Sequence, residues 1–417
     1  MSLIFIECLF LSACLIFLMG INPFVRKWKN LVLYACGGFF LTLIVSYVFL
    51  CFFEVQLSFY LIAVFSLFFV AKYLLNESGV EKAKPRKDED TFILSSESGQ
   101  LEFYYPRDNF MVLGGAGSGK TASIGKPILE QYIRFGWAGF IYDYKDYDYT
   151  KTAWNLVQKY RYPYKFYYIS FTDMSRTYRF NILNKNVIRN ETMLFQAMTD
   201  FFNAMKPEKG NTDEWFQAAL GLLCGVAVRF YKFQGDYEKY CTLPHILNFI
   251  LMATPEQLTR FLEGDMMSKM KAGAFLGSKG SERTQSSVIF SINNYISNLA
   301  TNKNVCYVLS GNDFIYDLID PEEPKLFAVS NNFAIESMIS PIVAMLVPLA
   351  ARRIEFGNRV KFAFVLDEMT TVKVNDFQSL PSVLREYGVS FLVLTQSGTK
   401  FDKPKIRKQS QWQSQLQ

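Results

Sequence analysis

The pattern of apolar and polar positions divides the chain into an apolar N-terminal part and a longer part of mixed character. Three nearly continuous apolar runs cover Leu3 to Met19, Leu31 to Phe53 and Leu57 to Leu75. A membrane-spanning helix needs about 20 apolar residues, so the second and third runs qualify by length. The first run is shorter and contains Glu7. Residues 1–75 are therefore predicted to form a transmembrane region with two or three helices.

Basic residues flank these apolar runs unevenly. Arg26, Lys27 and Lys29 lie between the first two runs, whereas the short connection around Glu54 and Gln56 contains no Lys or Arg. Because positive charge favours the cytoplasmic side of a membrane, the pattern predicts an outside N-terminus and a cytoplasmic main domain. A second basic group closes or follows the third run, at Lys72, Lys82, Lys84, Arg86 and Lys87.

The composition after the apolar runs predicts how the rest of the chain is organised. Residues 76–99 are polar and charged, which is typical of a linker. Strand and helix patterns alternate over residues 100–184 and 306–400, and these two segments are predicted to form one α/β domain. Residues 185–305 show only helical patterns and are predicted to be an inserted all-α subdomain. The Gln- and Ser-rich end, residues 401–417, is predicted to be disordered or truncated.

Six short apolar runs in the α/β part have the length expected of buried parallel strands. Helical patterns such as Ile124–Phe135 and Ile335–Phe356 separate some of them. This alternation is typical of a mostly parallel sheet with helices on both faces. The predicted strands are Phe110–Leu113, Gly139–Tyr142, Phe166–Ile169, Lys325–Val329, Phe362–Leu366 and Phe391–Leu394.

A glycine-rich segment follows the first of these strands and precedes a helix. It matches G-x-x-x-x-G-K-[ST] at each fixed position, in the strand–loop–helix context that this phosphate-binding motif requires. Glycines let backbone N–H groups surround phosphates, and the helix N-terminus favours negative charge. Lys120 is predicted to reach the β- and γ-phosphates of ATP, and the Thr121 hydroxyl to ligate Mg²⁺. The segment is Gly114, Gly115, Ala116, Gly117, Ser118, Gly119, Lys120 and Thr121.

Two carboxylates end the strand predicted at 362–366. Asp367 and Glu368 follow the buried run directly, which places them at the carboxyl end of the strand, where ligands bind in such sheets. Asp367 is predicted to hold Mg²⁺, and Glu368 to orient or deprotonate the attacking water. An Asp-Glu pair after a strand is often only the start of a solvated loop, and the phosphate-binding segment is what favours the functional interpretation.

Three further residues are weaker candidates for the same site. Gln396 ends the last predicted strand and could sense the γ-phosphate, or could be simple strand-end polarity. Arg385 lies between the last two strands and could act as an arginine finger across a subunit interface, or be an exposed surface arginine. Asp143 ends the second predicted strand and could line the nucleotide cleft, or cap the segment that follows it.

Composition narrows the remaining possibilities. The net charge of +6 and the pI near 8.7 permit a nucleic-acid or anionic-lipid partner. The seven cysteines include no CxxC pair, so neither a zinc site nor a disulfide framework is indicated. His245 is the single histidine, which argues against a histidine-based metal site or a Ser-His-Asp triad.

Taken together, the motifs resemble the type IV secretion coupling proteins of the TraG/TraD family, which share a RecA-like fold with FtsK- and HerA-type DNA pumps. The resemblance extends over roughly residues 1–400. It rests on the N-terminal apolar runs, the segment 114–121, Asp143-Tyr144-Lys145, Arg179-Phe180-Asn181-Ile182-Leu183, Leu366-Asp367-Glu368, Arg385 and Thr395-Gln396, in family order.

The resemblance implies a RecA-like P-loop NTPase domain in a hexameric ATPase of the bacterial inner membrane. Such a protein uses ATP and Mg²⁺, brings a relaxase-bound single strand of DNA to the secretion channel, and helps to move it during conjugation. The inserted helical subdomain would contact the relaxase or DNA. Lys120 and Thr121 would bind ATP–Mg²⁺, Asp367 and Glu368 would form the acidic motif, Gln396 would be the sensor and Arg385 the finger in trans.

The sequence departs from the family pattern at two places. Tyr144 and Asp146 stand where the family often has Pro and Gly, and the chain stops about twenty residues after Gln396, which suggests a truncated product. Two alternatives to the conjugative motor therefore stay open. One is a non-hydrolysing platform that recruits relaxase and DNA, and the other is an FtsK- or HerA-like DNA translocase outside conjugation.

Overall fold

The computed structural model describes the α/β part and the helical part of the chain. The predicted transmembrane region, most of the predicted linker and the predicted end at 401–417 lie outside the described residues. Among the residues described, no helix has both the length and the apolar character needed to cross a membrane. The described ranges are 90–96, 99–105, 109–206, 214–233, 235–355 and 357–396.

A small antiparallel hairpin opens the described structure. It consists of β1 (Phe92–Ser96) and β2 (Gly99–Phe103), with Phe92 paired to Phe103. Phe92 and Leu94 are buried and the intervening Ile93 is exposed, so β1 has the period of two that belongs to a half-buried strand. The predicted linker 76–99 overlaps this strand, which is a correction to its C-terminal boundary. Five residues of alternating character were too short a signal to separate from a charged linker.

All six predicted strands are present in one parallel sheet. Each begins and ends within two residues of its predicted boundary. Their burial explains the accuracy, because β4, β6, β7 and β8 are buried along their whole length and therefore appear as continuous apolar runs. The strands are β3 (Phe110–Leu113), β4 (Ala138–Asp143), β5 (Lys165–Ser170), β6 (Lys325–Ser330), β7 (Phe362–Asp367) and β8 (Val389–Thr395).

The order of the strands in the sheet is β3-β8-β7-β4-β6-β5, with every neighbouring pair parallel. The strand that leads into the glycine-rich segment therefore pairs with the last strand, and Leu113 lies opposite Thr395. In turn, Asp367 at the end of β7 lies opposite Leu394 of β8, and Leu366 lies opposite Tyr142 of β4. Because the sheet is parallel, all of these carboxyl ends lie along the same edge.

Alternate residues of each central strand enter two separate hydrophobic cores. Phe140 and Phe364 lie in the core on one face, and Ile141 and Val365 lie in the core on the other. Two helices, α1 (Lys126–Arg134) and α2 (Asp148–Lys159), cover the second face together with the hairpin. The expected α/β fold, with a mostly parallel sheet and helices on both faces, is confirmed.

Between β5 and β6 the described residues form helices joined by turns and loops and contain no strand, in line with the all-α pattern predicted for 185–305. These helices share the core of the first sheet face with the helix Glu336–Ala351, so the insertion packs directly on the sheet. They are α3 (Glu191–Ala204), α4 (Glu214–Tyr231), α5 (Tyr237–Tyr240), α6 (Leu243–Met252), α7 (Pro255–Leu262), α8 (Met266–Lys271), α9 (Gly273–Gly277), α10 (Glu282–Ala300) and α11 (Lys303–Leu309), followed after β6 by α12 (Glu336–Ala351) and α13 (Ser379–Leu384).

Side-chain caps begin most of these helices. The Asn190 side chain accepts a hydrogen bond from the Met193 N–H at the start of α3, and the Thr242 side chain accepts one from the His245 N–H at the start of α6. A capping box between Thr254 and Gln257 begins α7. These local signals explain why the helical pattern was readable from the sequence, although the last helix extends a few residues beyond the predicted boundary at 305.

Candidate functional site

The glycine-rich segment leaves the edge strand β3 and turns tightly into a helix. The Gly114 N–H donates to the Thr395 carbonyl oxygen at 3.3 Å, which ties the start of the loop to the end of β8. Gly117 and Gly119 have φ angles of +75° and +81°, a region that glycine adopts without strain. Lys120–Gly125 then form one turn of π-helix before α1. The predicted strand–loop–helix context of the motif is therefore present.

The Lys120 side chain lies across its own loop. Its ammonium donates to the carbonyl oxygens of Gly114 and of Gly115, the latter at 2.9 Å. Amide donors surrounding a lysine at a helix N-terminus form a concavity suited to a di- or triphosphate.

The acidic pair lies where the sequence predicted it, at the carboxyl end of β7. Asp367 is 4% exposed, and its Oδ2 atom is buried without a hydrogen-bond partner. Burial raises the pKa of this carboxyl to about 6, the positive charge of Lys145 opposes the rise, and Asp143 and Glu368 add to it. A buried carboxylate oxygen without a donor is a costly arrangement for folding alone, and it suits a site that receives a cation.

A magnesium ion fits this set of residues. The described part of the chain contains no cluster of three or more His, Cys, Asp and Glu side chains arranged to hold a metal. Mg²⁺ does not need one, because it keeps several waters and typically takes one or two carboxylates together with phosphate oxygens. Thr121 and Asp367 supply a hydroxyl and one carboxylate oxygen, which matches that preference.

Glu368 is held in a strained backbone conformation by contacts from the neighbouring strand. Its φ is +51°, which is uncommon for a residue other than glycine. The Oε1 atom accepts hydrogen bonds from the Thr370 hydroxyl at 2.7 Å, the Thr395 hydroxyl at 3.3 Å and the Gln396 N–H at 3.3 Å. Strain of this kind persists at functional sites when the surroundings over-determine it. The structure thus joins Glu368 to the exposed Gln396 through the end of β8.

Asp143 has its oxygens occupied by the segment that follows β4. Oδ2 accepts from both the N–H and the hydroxyl of Thr150 at 2.8 Å, and Oδ1 accepts from the Lys145 N–H at 3.1 Å. Burial nevertheless raises the pKa of this fully buried carboxyl. Of the two interpretations offered by the sequence, these contacts favour capping of the β4–α2 connection. A direct contact between Asp143 and the nucleotide stays a prediction.

Arg385 lies away from the other predicted site residues. It is exposed and begins a short 3₁₀ helix, Arg385–Tyr387, that precedes the amino end of β8. The seven residues of β8 extend about 20 Å at 3.3 Å per residue, and Gln396 lies at the far end. Arg385 therefore lies on the opposite edge of the sheet from the phosphate-binding loop of the same chain, and its role as a finger stays a prediction.

Sequence reasoning missed four residues as members of this site. Thr370 and Thr395 hold the Glu368 carboxylate, and the Lys145 ammonium donates to the Thr121 hydroxyl at 3.0 Å. A fourth residue, Tyr149, is fully buried with its hydroxyl pressed against the backbone of Gly125, which leaves no room for a Cβ atom there. Only Lys145 carried a signal, as the third residue of the Asp143-Tyr144-Lys145 segment after a strand.

Replacing Asp367 by asparagine is expected to stabilise the ligand-free protein. Its pKa of about 6 exceeds the ordinary 3.8, so the ionised carboxylate opposes folding fully above about pH 6 and not below about pH 3, where it is protonated in both states. We expect a gain of about 1–2 kcal/mol at pH 8. Chemical denaturation at pH 8 and about pH 3 checks this, with Asp313→Asn as control. A destabilised variant at pH 8 would contradict the assignment of Asp367 as an unpaired buried charge.

Comparison with known proteins is consistent with this site. The family model described as type IV secretory system conjugative DNA transfer matches residues 65–408, more than half of the chain. No curated protein sequence matches the chain significantly.

Solved structures of the bacterial conjugative coupling protein TrwB share the fold. The unbound form of TrwBdeltaN70 is 16% identical, with a TM-score of 0.59 and coverage of 78% of this chain and 71% of that chain. TrwB with the non-hydrolysable ATP analogue ADPNP is 17% identical, with a TM-score of 0.59 and coverage of 78% and 72%. TrwB with ADP and Mg²⁺ is 17% identical, with a TM-score of 0.59 and coverage of 80% and 73%.

Proposed function

Because this chain belongs to the family of type IV secretory system conjugative DNA transfer proteins, we propose that it is a membrane-anchored ATPase that couples relaxase-bound DNA to a type IV secretion channel. One observation carries the enzymatic part of this proposal. The phosphate-binding loop with Lys120 and Thr121, the carboxylates Asp367 and Glu368, and the end of β8 meet at the same edge of one parallel sheet.

ATP and Mg²⁺ are the proposed ligands. The TrwB structures with ADPNP and with ADP and Mg²⁺ support this choice by analogy of fold. Lys120 contacts the β- and γ-phosphates, and the loop from Gly114 to Gly119 surrounds them with backbone N–H groups. Thr121 and Asp367 hold Mg²⁺, which when bound neutralises charge on the phosphate oxygens. Each of these roles follows from the chemistry of the side chain and its position at the strand ends.

Glu368 is the proposed general base. Its carboxylate is half-buried and already accepts three hydrogen bonds, so its position is defined before substrate arrives. Gln396 is the proposed sensor, because its backbone N–H donates to Oε1 of the carboxylate whose other oxygen, Oε2, would accept the proton from water. A change at the γ-phosphate would then reach β8 through Glu368.

Assembly and partners are proposed from the family. A homo-hexamer in the inner membrane, with residues 1–75 spanning it and 76–99 leading to the cytoplasmic domain, would place Arg385 beside the site of a neighbouring subunit. The position of Arg385 on the opposite sheet edge supports a role in trans over one in cis. The helical subdomain, residues 185–305, is inserted in the RecA-like domain of 100–184 and 306–400 and would contact the relaxase. Single-stranded DNA would pass through the central pore of the hexamer to the channel.

DNA-stimulated hydrolysis tests the motor function. The full chain, purified in detergent, is expected to hydrolyse ATP slowly by itself and severalfold faster with single-stranded DNA, because the proposed motor is coupled to its substrate. Phosphate release with and without a DNA oligonucleotide is the measurement, and omission of Mg²⁺ is the control. Nucleotide binding without any DNA-stimulated turnover would contradict the motor and would favour a recruitment platform instead.

A further inference from the structure

Lys145 contacts the residue that is proposed to bind magnesium. Its ammonium donates to the Thr121 hydroxyl oxygen at 3.0 Å. The two residues are far apart in sequence, on the β4–α2 connection and at the end of the phosphate-binding loop. A hydroxyl that accepts a hydrogen bond from an ammonium directs a lone pair at a cation, as a hydroxyl that ligates a metal also does.

The backbone that carries Lys145 is well defined. The Lys145 N–H donates to Asp143 Oδ1 at 3.1 Å, and the Asp146 N–H donates to the Asn331 carbonyl oxygen at 3.1 Å. Asp146 and Tyr147 both have positive φ angles, of 52° and 72°, in a connection of only four residues between β4 and α2. The connection is therefore constrained, and the side chain of Lys145 is the part of it that can move.

Lys145 also acts on the second proposed metal ligand. Its positive charge attracts the Asp367 carboxylate. Asp367 Oδ2 has no hydrogen-bond donor, so this attraction acts through space. The same ammonium therefore hydrogen-bonds to Thr121 and attracts Asp367, which are the two protein ligands assigned to Mg²⁺.

We propose that the Lys145 ammonium occupies the cation position at the Thr121 hydroxyl and leaves it when Mg²⁺ binds, an inference that rests on the proposed ATP–Mg²⁺ function. An ammonium and a divalent cation within a few ångströms of each other repel. This repulsion disfavours the presence of both cations at the Thr121 oxygen at the same time. Mg²⁺ without nucleotide must compete with a tethered cation, whereas Mg²⁺ that arrives with nucleotide brings phosphate ligands that offset the competition.

Removing the charge of Lys145 is expected to make the site bind Mg²⁺ without nucleotide. In calorimetric titrations of the full chain with MgCl₂ alone, Lys145→Met should bind Mg²⁺ at least about tenfold more tightly than the wild type. Lys145→Arg keeps the charge and should behave like the wild type. Lys151→Met, at an exposed lysine on α2, is the matched control for loss of a surface charge. Unchanged or weaker Mg²⁺ binding by Lys145→Met would overturn the proposal.

A second measurement separates this inference from the proposed function. Binding of a fluorescent ADP is measured over a range of Mg²⁺ concentrations for the same proteins, and Lys145→Gln is included as a second neutral variant should Lys145→Met misfold. If the wild type binds no ADP, the proposed function fails. If the wild type binds ADP and both neutral variants need as much Mg²⁺ as the wild type does, only the role of Lys145 fails.

Discussion

Replacing Lys120 by alanine is expected to abolish ATP hydrolysis and to weaken ATP binding by roughly a hundredfold, since charge-assisted hydrogen bonds to phosphate contribute about 1.5–3 kcal/mol each. The ammonium bonds to the carbonyl oxygens of Gly114 and Gly115, so it is held over the loop that would receive the phosphates. Fluorescent ATP titration and phosphate release are the two measurements.

The loss should be specific to this lysine. Lys159→Ala is the matched control, because it removes a lysine whose partner Glu130 lies on the surface, at 2.7 Å. Surface ion pairs of this kind contribute about 0–1 kcal/mol to stability, so the control should fold and bind ATP like the wild type. Equal ATP binding by Lys120→Ala and the wild type would remove the nucleotide site from the glycine-rich loop.

Replacing Glu368 by glutamine is expected to lower the rate of hydrolysis by about 10²–10⁴-fold while ATP binding stays close to that of the wild type. Glutamine has the same shape, and its carbonyl oxygen can still accept the bonds that Thr370, Thr395 and Gln396 donate to Glu368. What is lost is the ability to accept a proton from water. Single-turnover hydrolysis and ATP titration separate the two effects.

A control and a mixing experiment sharpen this prediction. Glu386→Gln, an exposed carboxylate beside Arg385, should hydrolyse ATP at the wild-type rate. Glu368→Gln subunits mixed with Arg385→Ala subunits should regain part of the activity if each site uses Glu368 from one subunit and Arg385 from the next. Full activity of Glu368→Gln alone would rule out Glu368 as the general base. If the mixed subunits regain no activity, Arg385 is a surface arginine.

Much of the fold and the core of the site could be predicted from the sequence because their determinants are local. Each strand is a short apolar run, and its period or its continuous burial shows in a few neighbouring residues. The phosphate-binding loop is likewise contiguous, since Gly117, Gly119, Lys120 and Thr121 lie within five positions. Because the sheet is parallel, Asp367 at the end of β7 and Gln396 after β8 lie at the same edge of the sheet as this loop.

The sequence could not show which contacts form between distant segments at that edge. The hydrogen bonds from Thr370, Thr395 and Gln396 to Glu368, and the contact of Lys145 with Thr121, join residues whose approach depends on strand order and side-chain rotamers. Strand order and side-chain rotamers leave no periodic pattern in the sequence.

By itself, therefore, the sequence determined the strands, the helices and the phosphate-binding loop, because backbone preference and apolar period act over a few residues. Only the tertiary structure decided that Asp143 accepts hydrogen bonds from Thr150 in the first turn of α2 and that Lys145 donates to Thr121. It also decided that Arg385 lies across the sheet from the loop. The physical reason is that hydrogen bonds and charge interactions depend on distance in space, and parallel strand order sets that distance.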